Sequence, residues 1–352
     1  MIKGTSLFCN VGIAETYLKR NNIEIVVANE LLSDRAKFYK FSYPETDIIT
    51  GDITDDKIFN EIVEKSKEAK IEFLLATPPC QGMSVAGKMN EHDPRNLLII
   101  KVIEFIKKVK PKNIIIENVP TMLKTSILVN KKKIKIVDYI NNELAKDYKI
   151  SFNILNAADY GTPQTRNRTI VLMSKIGEWP LPKKQKQITV EEAIGYLPSL
   201  EAGEMSEIKY HNAPKHNERH ILWMKHTPTG KTAFDNKIYY PQKEDGTMIK
   251  GFSTTYKRIS WDKPAPTITM GNGSISSQNN VHPGRKKEDG TYSDARVLTI
   301  KELMILTGLP DDWKIPDWAK ENFIRKVIGE GVPPKLIEAI IKNMPRSDTI
   351  YE

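Results

Sequence analysis

Cys80 lies at a point of the sequence where a thiol could act as a nucleophile. Residues 71–76 form a short apolar run, which is typical of a strand buried on both faces of a sheet. Pro78-Pro79 ends that strand, because proline has no N–H to donate to a neighbouring strand. A thiol at the carboxyl end of a buried strand, followed by the small and flexible residues 81–84, suits nucleophilic catalysis. A buried structural cysteine is the alternative.

A carboxylate and two guanidinium groups lie beside other predicted strands. Glu117 follows one apolar run, and Arg166 and Arg168 precede another. Residues two apart in a strand point to the same face, so the two arginines are expected to share one face. Alternatively, Glu117 could be a cap or an ion-pair partner, and the arginines could form an exposed basic strand face.

Short apolar runs alternate with amphipathic, lysine-bearing segments through the first half of the chain. This alternation predicts βαβ units and a mostly parallel sheet with helices on both faces. Such a sheet binds its ligands outside the carboxyl ends of its strands. The predicted strands are residues 5–8, 24–28, 47–49, 71–76, 113–116 and 169–173, and the predicted helices are residues 14–20, 56–70, 95–109 and 134–145.

The first three predicted strands end in groups that suit a nucleoside. Phe8 lies at the first turn, Glu30 ends the second strand, and Asp52 follows the third. One carboxylate can bind ribose hydroxyls, the other the exocyclic amine of adenine, and Phe8 can stack on the ring. Acids in these positions could also be helix caps. The first turn lacks the G-x-G-x-x-G pattern, so a dinucleotide cofactor is not indicated.

The composition indicates a globular protein with a polyanionic partner. Its 352 residues are enough for two domains, and a chain that is 39% hydrophobic and 28% charged can bury a core. The net charge of +9 favours nucleic acid as a partner, although lysine-rich solvated surfaces are common. No apolar run reaches the length of a membrane span, and no signal-peptide pattern is present. With only two cysteines and no disulfide framework, a reducing cytoplasm is the expected location.

The two cysteines, Cys9 and Cys80, give neither a disulfide framework nor a cysteine-based zinc site. Cys9 has no proline stop or partner acid beside it, so we interpret it as a packing residue. Histidines cluster in the second half of the chain without ligand partners at a recognised metal spacing, so no metal site is predicted. Solvent-exposed or phosphate-contacting side chains are expected instead for His211, His216, His220 and His226.

The character of the chain changes after about residue 176. The W-P-L-P run at residues 179–182 and the lysines that follow it mark a domain boundary. From there to about residue 283 no long periodicity is visible, which predicts a second, smaller, irregular basic domain. Thr299 and Glu302 have the spacing of a capping box at the start of a helix. No internal repeat is apparent.

Several motifs together resemble those of one family. A-T-P-P-C-Q-G-M-S-V-A-G-K at residues 76–88, I-I-I-E-N-V at 114–119 and A-A-D-Y-G-T-P-Q-T-R-N-R at 157–168 are similar to three signature motifs of the DNA cytosine-C5 methyltransferases. L-F-C-N-V-G, N-E and G-D-I resemble the family's S-adenosylmethionine motifs. Residues 296–311 and 329–340 resemble its last two motifs. The order is also the family's, so the chain is identified by resemblance as a member of the bacterial restriction–modification type.

The resemblance implies a covalent mechanism on a cytosine that is flipped out of duplex DNA. Cys80 would add to carbon 6 of the ring, Glu117 would bind or protonate nitrogen 3, and Arg168 would bind the carbonyl oxygen. Arg166 would position Cys80 or the backbone. The loop that closes over the substrate would include Gln81, Ser84, Gly87 and Lys88.

The resemblance further implies an α/β, Rossmann-like S-adenosylmethionine-dependent methyltransferase fold. Residues 1–178, completed by a C-terminal helix in 320–352, would form the catalytic domain. Residues 179–319 would form the target-recognition domain and hinge, with a recognition-loop core at 263–273. S-adenosyl-L-methionine would be the cofactor and S-adenosyl-L-homocysteine its product. The implied cofactor-binding residues are Phe8, Gly12, Glu30, Asp52, Ile53, Pro79 and Val332.

The implied partner is double-stranded DNA, and the implied protein is a nucleoid-associated cytoplasmic monomer with a cognate restriction endonuclease encoded nearby. Two other functions remain open: a tRNA cytosine-C5 methyltransferase, and a catalytically silent DNA-binding module on the same scaffold. The intact P-P-C-Q-G-x-S motif argues against the first, and the intact Cys80, Glu117 and Arg168 argue against the second.

The chain departs from the family pattern in two motifs. The first usually contains D-L-F-x-G-x-G-G, but Ser6 replaces the acid, and Asn10 and Ile13 replace two glycines. Different contacts are therefore expected at the methionine end of the cofactor. In the last motif Glu330-Gly331 replaces the usual Asn-Ser.

Overall fold

The chain separates into two compact units. The computed structural model describes residues 1–79, 97–129 and 131–347. Unit 1 is Met1–Asn156, Asn167–Lys183 and Leu336–Glu352, and unit 2 is Ala157–Arg166 and Lys184–Lys335. Within the described residues, no helix has both the length and the apolar character needed to cross a membrane.

Unit 1 is built on a seven-stranded sheet and a separate hairpin. The strands are β1 (Ile2–Leu7), β2 (Ile23–Glu30), β3 (Asp47–Thr50), β4 (Phe73–Ala76), β5 (Asn113–Asn118), β6 (Ser126–Val129), β7 (Lys132–Lys135), β8 (Lys149–Asn156) and β9 (Asn167–Ser174). The sheet order is β3-β2-β1-β4-β5-β9-β8, and β6 pairs with β7. The first five strands of the sheet are parallel, and β9 is antiparallel to β5 and β8. The predicted mostly parallel sheet is confirmed, although β8 is absent from the predicted strands.

Helices cover both faces of this sheet. They are α1 (Ser33–Ser42), α2 (Asp56–Glu68), α3 (Leu98–Val109) and α4 (Ile136–Leu144). Asp55 caps α2 with its carboxylate, and the apolar side of α2 packs with α3, α4 and the sheet in one core. All residues of β4 and β5 are buried, which explains their continuous apolar sequences. The predicted helix at residues 14–20 is wrong, because turns and a 3-10 helix at Lys19–Asn21 occupy this stretch.

Unit 2 is irregular, as predicted, with short helices and isolated bridges. Its helices are α5 (Val190–Ile194), α6 (Glu218–Lys225), α7 (Ile300–Thr307) and α8 (Glu321–Glu330), and α9 (Pro334–Lys342) follows. The capping box of Thr299 and Glu302 at the start of α7 is confirmed. The apolar core around Trp223 is accompanied by fully buried charges, including Arg258 and Arg296.

A short internal repeat corrects one expectation from the sequence. Lys-Glu-Asp-Gly-Thr occurs at residues 243–247 and again at 287–291. Both copies lie in unit 2, and each forms the tip of a small antiparallel hairpin. A repeat of five residues is too short to define a repeat architecture, so a search for longer periods does not reveal it.

Candidate active site

The turn after β1 lies where the strand order of the sheet reverses, between β1 and β4, which is the usual ligand site of a parallel sheet. Phe8, Asn10 and Gly12 have positive φ values of 60°, 51° and 82°. Gly12 is required sterically, because an added Cβ would lie 2.2 Å from Cε2 of Tyr43, whose hydroxyl donates to the Gly12 carbonyl at 2.6 Å. Asparagine tolerates the left-handed conformation, so Asn10 can replace a glycine in this turn.

Glu30 is the last residue of β2, and Asp52 follows the neighbouring strand β3 at the same edge of the sheet. Oε2 of Glu30 accepts the N–H of Asn10 at 2.9 Å, and Oε1 accepts a second backbone N–H at 3.1 Å. A carboxylate has about four acceptor positions and can accept from hydroxyl groups as well as from N–H groups. Asp52 is exposed, and its Oδ1 accepts the N–H and the hydroxyl of Thr54, both at 2.8 Å. The adjacent Ile53 is buried. These groups fit the nucleoside part of a cofactor.

A buried carboxylate that sequence reasoning missed follows the same turn. The Ser6 hydroxyl donates to Oε1 of Glu15 at 2.5 Å, and Oε2 has no hydrogen-bond partner among the described residues. Burial raises the pKa of Glu15 to about 7, although the Ser6 hydrogen bond acts in the opposite direction. Ser6 stands where the family pattern has an acid, and Glu15 brings a carboxylate to it. The Ser6–Glu15 hydrogen bond shows this replacement of the family's acid, and the spacing of the two residues in the sequence does not.

Glu117 and Arg168 form an ion pair at the ends of β5 and β9. Nε of Arg168 lies 2.8 Å from Oε1 of Glu117, and the side chains are 13% and 8% exposed, respectively. Glu117 is paired with Ile170 across the two strands, so Arg168 is its diagonal neighbour on the same face. Nη1 of Arg168 also donates to the carbonyl of Asn167 at 2.8 Å. Among the described residues, Arg168 therefore has one ion pair and one hydrogen bond, fewer than its five donors allow.

The end of β5 is bonded to the chain that leads to Cys80. β4 and β5 are parallel neighbours, and the amide of Asn118 donates to the carbonyl of Pro78 at 3.0 Å. Pro79 follows and is half-buried. The predicted nucleophile Cys80 lies outside the described residues, as do the predicted loop residues Gln81, Ser84, Gly87 and Lys88.

Arg166 does not share a strand face with Arg168, because β9 begins at Asn167. Arg166 belongs to unit 2, and its buried guanidinium donates to the carbonyls of Ile268 at 2.7 Å and Gly329 at 3.0 Å. The expectation of a shared face is therefore wrong. These bonds fit the other expected role of Arg166, which is to position the backbone.

Two other predicted elements also lie in unit 2. Val332 is buried between α8 and α9. In the expected recognition-loop core, residues 263–273, Ala265 and Asn272 are buried, and the amide of Asn272 donates to the carbonyl of Arg325 at 2.9 Å. This segment thus contributes to the internal framework of unit 2, and its part in recognition stays a prediction.

The histidines of unit 2 have structural contacts. His211 is fully buried, and its ring nitrogens lie 3.0 Å from the Thr299 hydroxyl and 2.9 Å from the Pro198 carbonyl. The expectation of an exposed or phosphate-contacting side chain is therefore wrong for His211. The described residues contain no group of three or more His, Cys, Asp or Glu side chains that could bind a metal ion.

The strand order and the groups at the carboxyl edge of the sheet define a Rossmann-like methyltransferase fold. Comparison with known proteins narrows this class. The profile of a family described as C-5 cytosine-specific DNA methylase matches residues 2–346. The chain belongs to this family, and it is accordingly an enzyme, a DNA cytosine-C5 methyltransferase, as its motifs predicted.

Individual relatives agree with this assignment. Type II methyltransferase M1.HgaI of Avibacterium volantium is 52% identical over 97% of this chain and 98% of its own length. Type II methyltransferase M1.HphI of Haemophilus parahaemolyticus is 28% identical over 97% and 86%. A crystal structure of Spodoptera frugiperda DNMT2 has a TM-score of 0.67 at 16% identity, covering 97% of this chain and 99% of that chain. The likeness to that structure concerns the fold alone, and the sequence relatives support the restriction–modification type.

Proposed function

We propose that the enzyme transfers a methyl group from S-adenosyl-L-methionine to carbon 5 of a cytosine flipped out of a specific duplex DNA sequence. The observation that carries the proposal is the Glu117–Arg168 pair, 2.8 Å apart, at the strand ends beside the chain that leads to Cys80. A carboxyl, a guanidinium and a thiol are the three groups that this reaction requires.

The chemistry explains the need for a thiol. Carbon 5 of cytosine is too weak a nucleophile to accept a methyl group unaided. The thiolate of Cys80 would add to carbon 6, which forms a C–S bond and turns the ring into an enamine that is nucleophilic at carbon 5. After methylation, carbon 5 loses its proton to a base, and the electron pair released expels the thiolate and restores the ring.

Glu117 and Arg168 would bind the polar edge of the same ring. Glu117 would donate or share a proton at nitrogen 3, because negative charge develops there as the thiolate adds. Arg168 would donate to the carbonyl oxygen with the guanidinium donors that the described residues leave unused. Arg166 would act at a distance, by positioning backbone.

The residues at the carboxyl edge of unit 1 would bind the cofactor. Phe8 would stack on adenine, Glu30 would bind the ribose hydroxyls, and Asp52 would accept from the exocyclic amine. The bound cofactor supplies an electrophilic methyl group. The remaining proposed contacts are Gly12, Ile53 and Pro79 of unit 1 and, from the last motif, Val332 of unit 2.

A cytosine within a duplex is shielded by its stacked neighbours, so a thiol reaches carbon 6 only after base flipping, which costs roughly a few kcal/mol. The basic, irregular unit 2 would bind the duplex and recognise its sequence. Gln81, Ser84, Gly87 and Lys88 would close over the flipped base. We further propose a monomeric, cytoplasmic enzyme, associated with the nucleoid through DNA and paired with a cognate restriction endonuclease.

The proposal is tested by methyl transfer from labelled S-adenosyl-L-methionine to mixed-sequence duplex DNA. Cys80→Ser is expected to transfer no label above background. Cys9→Ser is the matched control, because burial and the nearby charges of Glu15 and Glu30 raise the pKa of the Cys9 thiol well above its usual range and keep it unreactive. Equal transfer by Cys80→Ser and the wild type would refute the proposal, and tRNA in place of DNA tests the alternative acceptor.

A further inference from the structure

The two Lys-Glu-Asp-Gly-Thr copies of unit 2 form the same turn. Each lies at the tip of a hairpin, residues 242–248 in the first and residues 286–292 in the second. The lysine N–H donates to the threonine carbonyl at 2.8 Å in the first and 2.7 Å in the second, and the glycine N–H donates to the lysine carbonyl at 3.1 Å in both. The glycines have φ values of 82° and 83°. Differences between the hairpins therefore come from their surroundings and not from the turn.

The second hairpin, residues 286–292, is fixed to unit 2, and we call it the anchored hairpin. Nζ of Lys287 lies 2.8 Å from Oε1 of Glu201. The N–H of Tyr292 donates to the carbonyl of Lys225 at 2.8 Å. The hairpin is therefore tied to unit 2 through one side chain and one backbone group.

The first hairpin, residues 242–248, presents apolar side chains to solvent, and we call it the exposed hairpin. Met248 is 55% exposed, and Ile238 and Phe252, which flank the hairpin in sequence, are 73% and 74% exposed. Three lysines lie between these apolar residues in the sequence: Lys237, Lys243 and Lys250. None of them forms an ion pair with a described residue, whereas Lys287 of the anchored hairpin is paired with Glu201.

The exposed hairpin is nevertheless attached firmly at its base. Arg219 donates to a carbonyl at the start of the hairpin, and the amide of Asn236 donates to the carbonyl of Trp223 at 3.1 Å. Ile249, next to Met248, packs on the core around Trp223. A fixed base means that the apolar side chains are held outward before any partner binds.

Exposed apolar groups on a fixed scaffold indicate a binding surface. Residues 237–252 contain these three lysines and two exposed acids, Glu244 and Asp245, so the local excess of positive charge is one. Together with the net charge of +9 of the whole chain, this indicates a polyanionic partner. The major groove of B-DNA, about 12 Å wide, admits a two-stranded β-ribbon. Apolar side chains there distinguish bases through contacts such as the thymine methyl group, whereas lysines bind phosphates. Charge therefore favours duplex DNA over a second copy of this basic chain.

We propose that the exposed hairpin enters the major groove of the substrate duplex and determines sequence preference, with Met248 and Phe252 against the bases and Lys243 on a phosphate. This inference rests on the proposed DNA methylation and names the element that selects the sequence. The anchored hairpin, with the same turn, supports the fold of unit 2.

The apolar part is tested with the double variant Met248→Ala/Phe252→Ala. Its matched control is Met205→Ala/Tyr196→Ala, which alters two side chains of unit 2 with exposures of 74% and 70%. Bisulfite sequencing of methylated mixed-sequence DNA gives the site preference, and fluorescence anisotropy gives the DNA affinity. We expect the first variant to lose about ten- to a hundredfold in preference for its site, with an unchanged melting temperature. The control is expected to match the wild type.

The lysines provide a second comparison within the same turn. Lys243→Ala is expected to reduce the slope of log Kd against log salt by about 1, whereas Lys287→Ala, which removes a side chain already paired with Glu201, leaves the slope unchanged.

The inference would be overturned if Met248→Ala/Phe252→Ala left the methylated sites unchanged and Lys243→Ala left the salt slope unchanged. It would also be overturned if these variants altered only the self-association of the protein, measured by sedimentation. If the wild type binds DNA but transfers no methyl group, the proposed function fails. The hairpin inference is then decided by affinity and salt slope alone.

Discussion

Two carboxylate–guanidinium groups, one in each unit, differ in how completely the arginine is bonded. Arg296 of unit 2 donates to Glu302 at 2.9 and 3.0 Å, to Asp294 at 2.8 Å, and to the carbonyls of Leu200 and Val297 at 2.7 and 3.2 Å. These bonds use all five of its donors. Among the described residues, Arg168 of unit 1 has an ion pair with Glu117 and one hydrogen bond, to the carbonyl of Asn167.

In our proposal, this difference separates a group that supports the fold from a group that takes part in the reaction. A buried donor without a partner costs about 1–3 kcal/mol, so full bonding is the stable arrangement for an arginine that only supports the fold. A partly bonded arginine at a strand end keeps donors for a substrate. The same residue types thus serve stability in Arg296 and, in our proposal, catalysis in Arg168.

The largest expected effect is on catalysis at the Glu117–Arg168 pair. Glu117→Gln keeps the shape of the side chain but removes its acid, so methyl transfer should fall about 10²- to 10⁴-fold. Single-turnover transfer of labelled methyl measures this fall, and urea unfolding monitors the fold. A rate within tenfold of the wild type would contradict the role given to Glu117.

Arg296, Glu302 and Asp294 form the fully bonded group, which we call the saturated group. Substitution in this group should act on stability instead of catalysis. Glu302→Gln leaves the buried charge of Arg296 partly uncompensated and should lower the free energy of unfolding by about 3–5 kcal/mol. Urea unfolding measures the loss. The rate per folded molecule should stay near the wild-type value, and a rate loss as large as that of Glu117→Gln would remove the distinction between the two groups.

Acid should weaken the saturated group. Burial raises the pKa of Glu302, but the charges of Arg296 and His282 and the hydrogen bonds from Arg296 and Thr299 together outweigh burial and lower the pKa to about 2, from a usual 4.5. Because the folded pKa is depressed, the stability that ionised Glu302 contributes is present above pH 4.5 and is lost as the pH falls through 2. Urea unfolding from pH 6 to pH 2 should therefore show a smaller pH dependence in Glu302→Gln. Identical curves would contradict the pairing.

A third buried carboxylate, Glu15, has no guanidinium partner among the described residues and should respond to pH in the opposite direction. Burial raises the pKa of Glu15 to about 7, so the associated stability is present below pH 4.5 and is lost as the pH rises through 7. Glu15→Gln should flatten the fall in unfolding free energy between pH 5 and pH 8. A curve parallel to the wild type would show that Glu15 stays ionised.

The sequence predicted those parts of the site that depend on strand ends. Apolar runs and motifs predicted the ends of β4 and β5 and the position of Glu117. They also predicted the group of Phe8, Glu30 and Asp52, because parallel strands bring their carboxyl ends to one edge of the sheet. The mostly parallel sheet followed in the same way.

Contacts between distant residues could not be predicted. The Arg168–Glu117 pair depends on the antiparallel register of β5 and β9, and the Ser6–Glu15 bond depends on the path of an irregular turn. Arg166 is two residues from Arg168 in the sequence, yet it bonds within unit 2, because the strand begins between them. Spacing alone carries no information on where a strand starts.

The most direct test of the central claim is covalent trapping on duplex DNA in which 5-fluorocytosine replaces cytosine. Fluorine at carbon 5 cannot leave as a proton does, so the Cys80–carbon 6 bond should persist after methylation. We predict a denaturation-resistant protein–DNA complex that requires S-adenosyl-L-methionine, forms with Cys9→Ser and is absent with Cys80→Ser. A complex that forms equally with Cys80→Ser, or none with an enzyme that methylates ordinary DNA, would contradict the account.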